Sequence, residues 1–480
     1  MRSRSLLLTL LTLFFVACAT PLGPGFWIEK QSYDLRYAAS SPAHMEVRAA
    51  YTLRNAGNAP LAVLSVRLPD VQSTGRRNVR VLIDGREVAA RAASDLLAQT
   101  IEIPFDPPWP QAERRELVLE YELAPDSPGH AGVSVNEHSG HLRRSGWFPK
   151  LLRPEALLAK GGPRAEKVPI AIHVPEDFRA LSSGHERGAR RRNGETEFRF
   201  ELRKDDFDPF LVAGRYIETR ITAGASDVIF WTLRPLDHSE ATQAAARIAA
   251  SFHIYETYFG RVTRKGRRVW VVESEARLSP RTDADAPAGV SFPDGALLNR
   301  AAFALGVSSD AFLALVEHEL AHIWFGETLV ARSEYELLLS ESLAEYATLV
   351  AAEARDPDAR RHRTALLLRW YDEARARAAE EPIEALRSSS PWEQRVFAYN
   401  KGALFFVALE DEFGKEAVRR ALARMVAALH GQRAGLHDLR AALEGETGKP
   451  LGAFIRAWLF QTGITADFRA RYEVTPTQKD

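Results

Sequence analysis

The sequence predicts an α+β multidomain protein, with an N-terminal antiparallel β saddle or sandwich, then a mixed α/β segment, then helices. Three observations predict it. Apolar residues alternate with polar ones up to about residue 220, helical spacing dominates after Ser308, and a metal-ligand motif falls within the helical part. The chain has 480 residues, 46% of them apolar and 26% charged, enough for two or three folded domains. Its 63 basic and 63 acidic residues cancel, which argues against a nucleic-acid partner. One cysteine excludes an intramolecular disulfide and a cysteine-rich metal cluster.

Arg2 and Arg4 precede an apolar run from Leu6 to Ala17. That run is shorter than the roughly 20 residues a spanning helix needs, but it suits the core of a secretory signal. Cys18 closes it after Phe15-Val16-Ala17, and this boundary resembles a bacterial lipobox. The resemblance implies a lipoprotein signal peptide over residues 1–18, with cleavage before Cys18 and lipid on its thiol and amine. Ala19 follows, not Asp, which implies outer-membrane sorting and an anchored protein facing the periplasm.

Residues 19–220 read as the β domain. In His44–Leu53, Met45, Val47, Ala49, Tyr51 and Leu53 share one face. Leu61–Leu68, Val79–Ile83, Thr100–Phe105, Glu116–Leu123, Val168–Val174, Thr196–Leu202 and Pro209–Val212 repeat the pattern between turn residues. The basic stretch Arg187–Asn193 reads as a solvated loop. Residues 221–475 read as a second domain, mixed α/β over 221–310 and helical over 311–475. In it Val228–Leu233 and Val269–Glu273 flank a helix from Glu240 to Phe259, which Gly260 stops.

The chemistry is carried by His318-Glu319-Leu320-Ala321-His322. On a helix, positions four apart lie about 40° from each other, so both imidazoles leave one face and can share a metal. Glu319 is rotated by about 100° from His318, beside the metal, where it can take a proton from water. A catalytic zinc wants three protein ligands and one open position. Eighteen residues, Ile323 to Ser340, separate His322 from Glu341, which opens a further helical stretch ending near Asp356-Pro357. Two imidazoles and one carboxylate suit one zinc ion per chain best.

This motif, with eighteen residues before the glutamate, resembles the gluzincin zinc metallopeptidases, in the branch of membrane alanyl aminopeptidase and leukotriene hydrolase. Tyr255–Gly260, Trp324-Phe325-Gly326, Tyr399-Asn400-Lys401-Gly402 and the closing Phe454, Trp458, Gln461 and Gly463 resemble segments of the same family, as do Trp147-Phe148-Pro149 and Pro209–Gly214. The resemblance implies a thermolysin-like catalytic domain that hydrolyses peptide bonds. It implies zinc on His318, His322 and Glu341, Glu319 as general base, and Tyr399 as hydrogen-bond donor to the oxyanion.

One region departs from the family. Its aminopeptidases hold the substrate amine with a Gly-x-Met-Glu-Asn loop, whereas Ala286–Leu298 here has Gly289 at the first glycine and no glutamate after it. Gly289 and Asp294 are the substrate-binding candidates in that loop. The reading is therefore a peptidase that is aminopeptidase-like with a degenerate amine loop. Endopeptidase or epoxide-hydrolase activity, and a non-catalytic zinc-binding envelope module, are the alternatives. Ser340 and Ser342 replace the family's usual Asn and Gly beside Glu341. Glu345, a turn beyond Glu341, reads equally as support for the ligands or as a solvent-facing residue. His138 and His141 read as exposed loop residues, and His253 as a packed or surface histidine.

Overall fold

A computed structural model describes residues 25–92, 100–125, 132–152, 167–203, 210–261, 268–276, 278, 286–430 and 432–473. The signal segment, Cys18 and Pro209 lie outside the described residues.

The N-terminal part is built on an eight-stranded sheet, in the order His185–Arg192, Glu195–Arg203, Lys167–Pro175, Phe26–Ala38, His44–Asn55, Arg114–Leu123, Arg76–Ile83 and Arg86–Glu87. The alternation in His44–Asn55 translates directly into burial, with Met45, Val47, Ala49, Tyr51 and Leu53 at most 2% exposed. Pairing in this sheet is antiparallel except along Tyr33–Arg36, which runs parallel to Ile170–His173. Two four-stranded sheets cover the inner face, and Trp109, Trp147 and Leu142 fill the core between the layers.

Two readings are corrected here. The basic stretch is not a loop, because His185–Arg192 forms an edge strand paired with Glu195–Arg203. Its arginines face acids, Arg187 on Glu201 and Arg191 on Glu176, and such charges keep an open sheet edge soluble. Nor is His141 exposed. It sits in Ser139–Leu142, a strand flanked on both sides, and is 1% exposed. His138 and His253 are exposed.

The second part begins with a five-stranded sheet, ordered Ile217–Ala223, Ser226–Thr232, Arg268–Ser274, Gly295–Asn299 and Gly289–Phe292. Its three inner strands are parallel and buried on both faces, which is why they read as continuous apolar runs. Helix His238–Phe259, capped by the Asp237 side chain, buries Ala241, Ala244, Ile248, Phe252 and Tyr255 under this sheet. The remaining chain is helical, with Asp310–Ala321, Leu343–Arg355, Pro357–Arg377 and Trp392–Phe413 packed into one core with that helix.

The two parts meet across a separate apolar cluster. Phe210, Val212 and Tyr216 pack on Ile229, Trp231, Trp270, Phe292 and Leu297, and the rings of Phe210 and Phe292 stack 4.3 Å apart. This contact sets the edge strand Gly289–Phe292 against the first domain. Among the described residues no helix is long and apolar enough to cross a membrane.

Candidate active site

Helix Asp310–Ala321 is started by Ser309, whose hydroxyl accepts from the Phe312 amide, and its apolar side buries Phe312, Leu313, Val316 and Leu320. Its rotation is locked by Glu317, which is fully buried and takes Arg247, Ser251 and Arg355 on its carboxylate. With that face fixed, His318 and His322 leave the other side with ring centroids 5.0 Å apart.

The chain then turns back sharply. Gly326, at φ 145°, allows the turn, and a Cβ there would stand 3.2 Å from the Ser340 hydroxyl. Trp324 donates its indole N–H to the Gly260 carbonyl, 2.7 Å away, tying the turn to the end of helix His238–Phe259. A π-helical turn, Leu337–Ser342, delivers Glu341 to the histidines before the chain continues as helix Leu343–Arg355.

Glu341 Oε2 lies 3.3 Å from His318 Nε2 and 3.5 Å from His322 Nε2. One ligand atom from each of the three residues falls within 4.8 Å of the others, a group able to hold one metal ion. The second nitrogen of each ring decides which lone pair is available. His322 Nδ1 lies 3.0 Å from the Phe325 carbonyl, which can only accept, so Nδ1 carries the proton and Nε2 faces the site. Ser340 supports the same corner, 3.1 Å from His322 Nδ1. His318 Nδ1 donates to Glu345 Oε2 at 3.1 Å, freeing its Nε2 likewise. Two neutral imidazole lone pairs and a carboxylate fit Zn2+, and three protein ligands are the set a catalytic rather than a structural zinc takes.

The electrostatics agree. Burial works to raise the Glu341 carboxyl, but His322 and His318 outweigh it and hold it well below the usual carboxylate range. Burial works to lower His318, and Glu341 and Glu345 more than compensate. A metal ion takes over the role of those protons when it binds. Glu319, 6% exposed, is pushed up by burial, as a base working near neutrality requires.

Tyr399 comes from helix Trp392–Phe413 and stacks on His318, 5.8 Å between ring centroids at 15°. Burial and the Glu341 carboxylate raise its phenol well above the ordinary value, so it remains a donor through neutral pH. The following Lys401-Gly402 sets where that helix sits. Lys401, fully buried, binds Glu380 and the Gln461 carbonyl. Gly402 lies directly against Ser342, whose hydroxyl donates to the Ala398 carbonyl, so the tyrosine helix is registered one residue from Glu341.

Gly289 and Asp294 part company. Gly289 packs on Glu319, since a Cβ built there would stand 2.9 Å from its Cγ. Asp294 is in the turn at the opposite end of the hairpin, past the Phe292–Gly295 pair, with its carbonyl accepting from Trp270. At about 3.3 Å per strand residue that is on the order of 10 Å from Gly289, too far to replace the missing glutamate. Glu345, whose direction the sequence left open, points inward to His318. The signal for it was its position four residues after Glu341, the same helix face.

Comparison with known proteins agrees with this geometry. Residues 291–458 match the Peptidase family M1 domain. The M1 match therefore covers the metal helix, Glu341 and Tyr399. Aminopeptidase M1-B of Oryza sativa subsp. japonica is 29% identical over 183 residues, 36% of this chain and 20% of that protein. Tricorn protease-interacting factor F2 of Thermoplasma volcanium is 26% identical over 157 residues, 31% of this chain and 20% of that protein. The chain thus spans about a fifth of the length of these curated relatives. In fold it is similar to the M1 zinc metallopeptidase of Deinococcus radiodurans. A substrate-bound mutant of that protein aligns with TM-score 0.64 and 19% identity, over 92% of this chain and 96% of the other.

Proposed function

We propose that this protein is a zinc-dependent peptidase of the bacterial envelope that hydrolyses peptide bonds in an aminopeptidase-like manner. The observation that carries the reading is the convergence of His318, His322 and Glu341 on one point, with Glu319 and Tyr399 beside it. The D. radiodurans relative is described as bound to a Tyr-Ser-Ala substrate, which supports a peptide as the ligand.

His318, His322 and Glu341 would hold the zinc ion, which would supply Lewis acidity toward the scissile carbonyl and a water molecule. Glu319 accepts the proton of the attacking water and returns it to the departing amine. Tyr399 donates to the carbonyl oxygen as negative charge develops on it. Among the described residues the edge strand Gly289–Phe292 has one side unpaired in the sheet, and it runs past Glu319, so its backbone can align an extended peptide. An endopeptidase is the second reading, favoured by the absence of an acid on that strand to hold a free amine.

Glu319→Gln tests the mechanism. It is expected to retain one zinc per chain and lose turnover of a peptide by several orders of magnitude, and unchanged turnover would refute it. Assaying one peptide with a free and with an acetylated amino terminus separates the two specificities. The proposed envelope anchor rests on Cys18 at the end of Leu6–Ala17, and Ala19 after it supports the outer membrane, facing the periplasm, as the location. Cys18→Ser should move it from the membrane pellet to the soluble periplasmic fraction, and retention in the pellet would overturn the lipoprotein reading.

A further inference from the structure

The helix that carries Tyr399 is held from behind by one buried carboxylate. Tyr399 leaves helix Trp392–Phe413 on the face that meets His318, and Trp392, seven residues earlier on that face, is in ring contact with it at 5.6 Å between centroids. Lys401, two residues past Tyr399, is turned roughly 200° about the helix axis and so points away from the site. Phe397, four residues before Lys401, shares that back face. Its ring meets Tyr371 of helix Pro357–Arg377 edge-on, 5.9 Å between centroids.

Glu380 stands where these back-face groups converge, in the connector between helix Pro357–Arg377 and the turn Ile383–Ala385. Its Oε1 accepts from Lys401 Nζ at 2.8 Å, and the Lys401 side chain is fully buried while that of Glu380 is 2% exposed. Its Oε2 accepts from the Tyr371 hydroxyl at 2.6 Å and from the Gly463 amide at 2.7 Å, with Arg375 Nε 3.6 Å away. Gly463 belongs to the closing turn after helix Gly452–Leu459, and the Gln461 carbonyl of the same turn accepts from Lys401 Nζ at 2.6 Å. Gly463 has φ 89°, a conformation that side chains resist, so glycine is what lets this amide face the carboxylate. One carboxylate thus gathers the tyrosine helix, the helix before it and the closing turn.

We propose that Glu380 is the positioning residue for Tyr399, setting the rotation and depth at which its phenol meets the carbonyl oxygen of the peptide. The inference rests on the peptidase reading and deepens it. A charged pair withdrawn from water holds one geometry, because either partner displaced from the other is left uncompensated. An oxyanion donor has its full effect only at hydrogen-bond distance from the developing charge, so a fixed helix rotation contributes to rate and not to affinity. The base and the ligands are held by other contacts, Glu317 on Arg247 and Glu345 on His318 among them. Glu380 works through Lys401, from the side of the helix turned away from His318.

The test is a double-substitution cycle on the full-length zinc-loaded protein, with turnover of one peptide and zinc content as readouts. Glu380→Gln keeps the shape of the side chain and removes its charge. It is expected to lower kcat about 10- to 100-fold with KM and zinc content unchanged, as for a reacting group displaced by about 1 Å. In the Tyr399→Phe background there is no hydroxyl to position, and the same substitution is expected to cost nothing further. A purely structural role would act whether or not that hydroxyl is present. An unchanged kcat, an equal loss in both backgrounds, or a change confined to KM would therefore overturn the inference. Should Glu380→Gln prevent folding by leaving Lys401 unpaired, Glu380→Gln with Lys401→Met removes both charges and goes through the same cycle with the same expectations. If the unsubstituted protein cleaves no peptide, the peptidase reading fails, and crystal structures decide the positioning. A Tyr399 ring displaced from its 5.8 Å contact with His318 by more than about 0.5 Å in Glu380→Gln supports it, and an unmoved ring overturns it.

Discussion

Glu345 Oε2 lies 3.1 Å from His318 Nδ1, so a carboxylate one helical turn past the ligand Glu341 fixes how the first ligand ring is turned. Glu345 is itself held, with Thr348 Oγ1 at 3.4 Å and Arg363 Nη2 at 3.6 Å from its other oxygen. The helix carrying Glu341 thus supplies both a ligand and the group that orients another ligand.

Removing that carboxylate should loosen the metal. Glu345→Gln keeps the shape but weakens the acceptor, and zinc affinity is expected to fall about 10–100-fold. Competition with a chromophoric chelator measures it. Affinity equal to the unsubstituted protein would show that His318 needs no such support.

Gly289→Ala probes the contact with the base. The added methyl would meet Glu319 Cγ at 2.9 Å and Leu298 Cδ2 at 2.6 Å, so Glu319 must shift. Misplacing a reacting group by about 1 Å costs on the order of 10²-fold in rate. The expected result is a kcat reduced by 10- to 100-fold, approximately, with zinc content unchanged. A fully active variant would show that the base tolerates displacement.

Tyr399→Phe leaves the ring on His318 and deletes only the donor. Loss of one oxyanion donor predicts kcat lower by about 10²–10³-fold, with zinc content and KM nearly unchanged. A change in KM alone would assign Tyr399 to substrate binding in the ground state.

His141 predicts an acid sensitivity of the domain contact. Burial lowers its pKa from 6.5 to about 3, because the imidazolium cannot be solvated there. As pH falls below 6.5 the unfolded chain takes up this proton before the folded one does. Stability is therefore intact above pH 6.5 and is lost progressively as pH falls toward 3. At pH 4.5 the loss from this group is about 3 kcal/mol. His141→Gln should lose less stability than the unsubstituted protein between pH 7.5 and 4.5 in urea melts. Parallel losses would remove His141 as the cause.

Much of the architecture was legible because its signals are local. Alternation in His44–Asn55 marks a sheet face whatever it packs on, and Gly260 marks a helix end through its own backbone requirement. Strand Phe26–Ala38 escaped a specific assignment because its pairing is interrupted by a bulge between Ile28 and Lys30, which breaks the period. The arginines of His185–Arg192 carried loop chemistry into an edge strand, since one open side lets every charge reach water or a facing glutamate.

The sequence by itself singled out the metal-binding group, because a helix spaces His318 and His322 on one face and Glu341 follows after eighteen residues. It also singled out Glu319 and Tyr399 as the candidates for base and donor. Only the tertiary structure decided that Glu345 turns inward, that Asp294 is carried away from the site and Gly289 is pressed against Glu319, and that His141 is buried between the two parts. Helical and strand periods say which residues share a face. What covers that face, and whose charges it meets, depends on segments distant in the chain, and no local spacing encodes them.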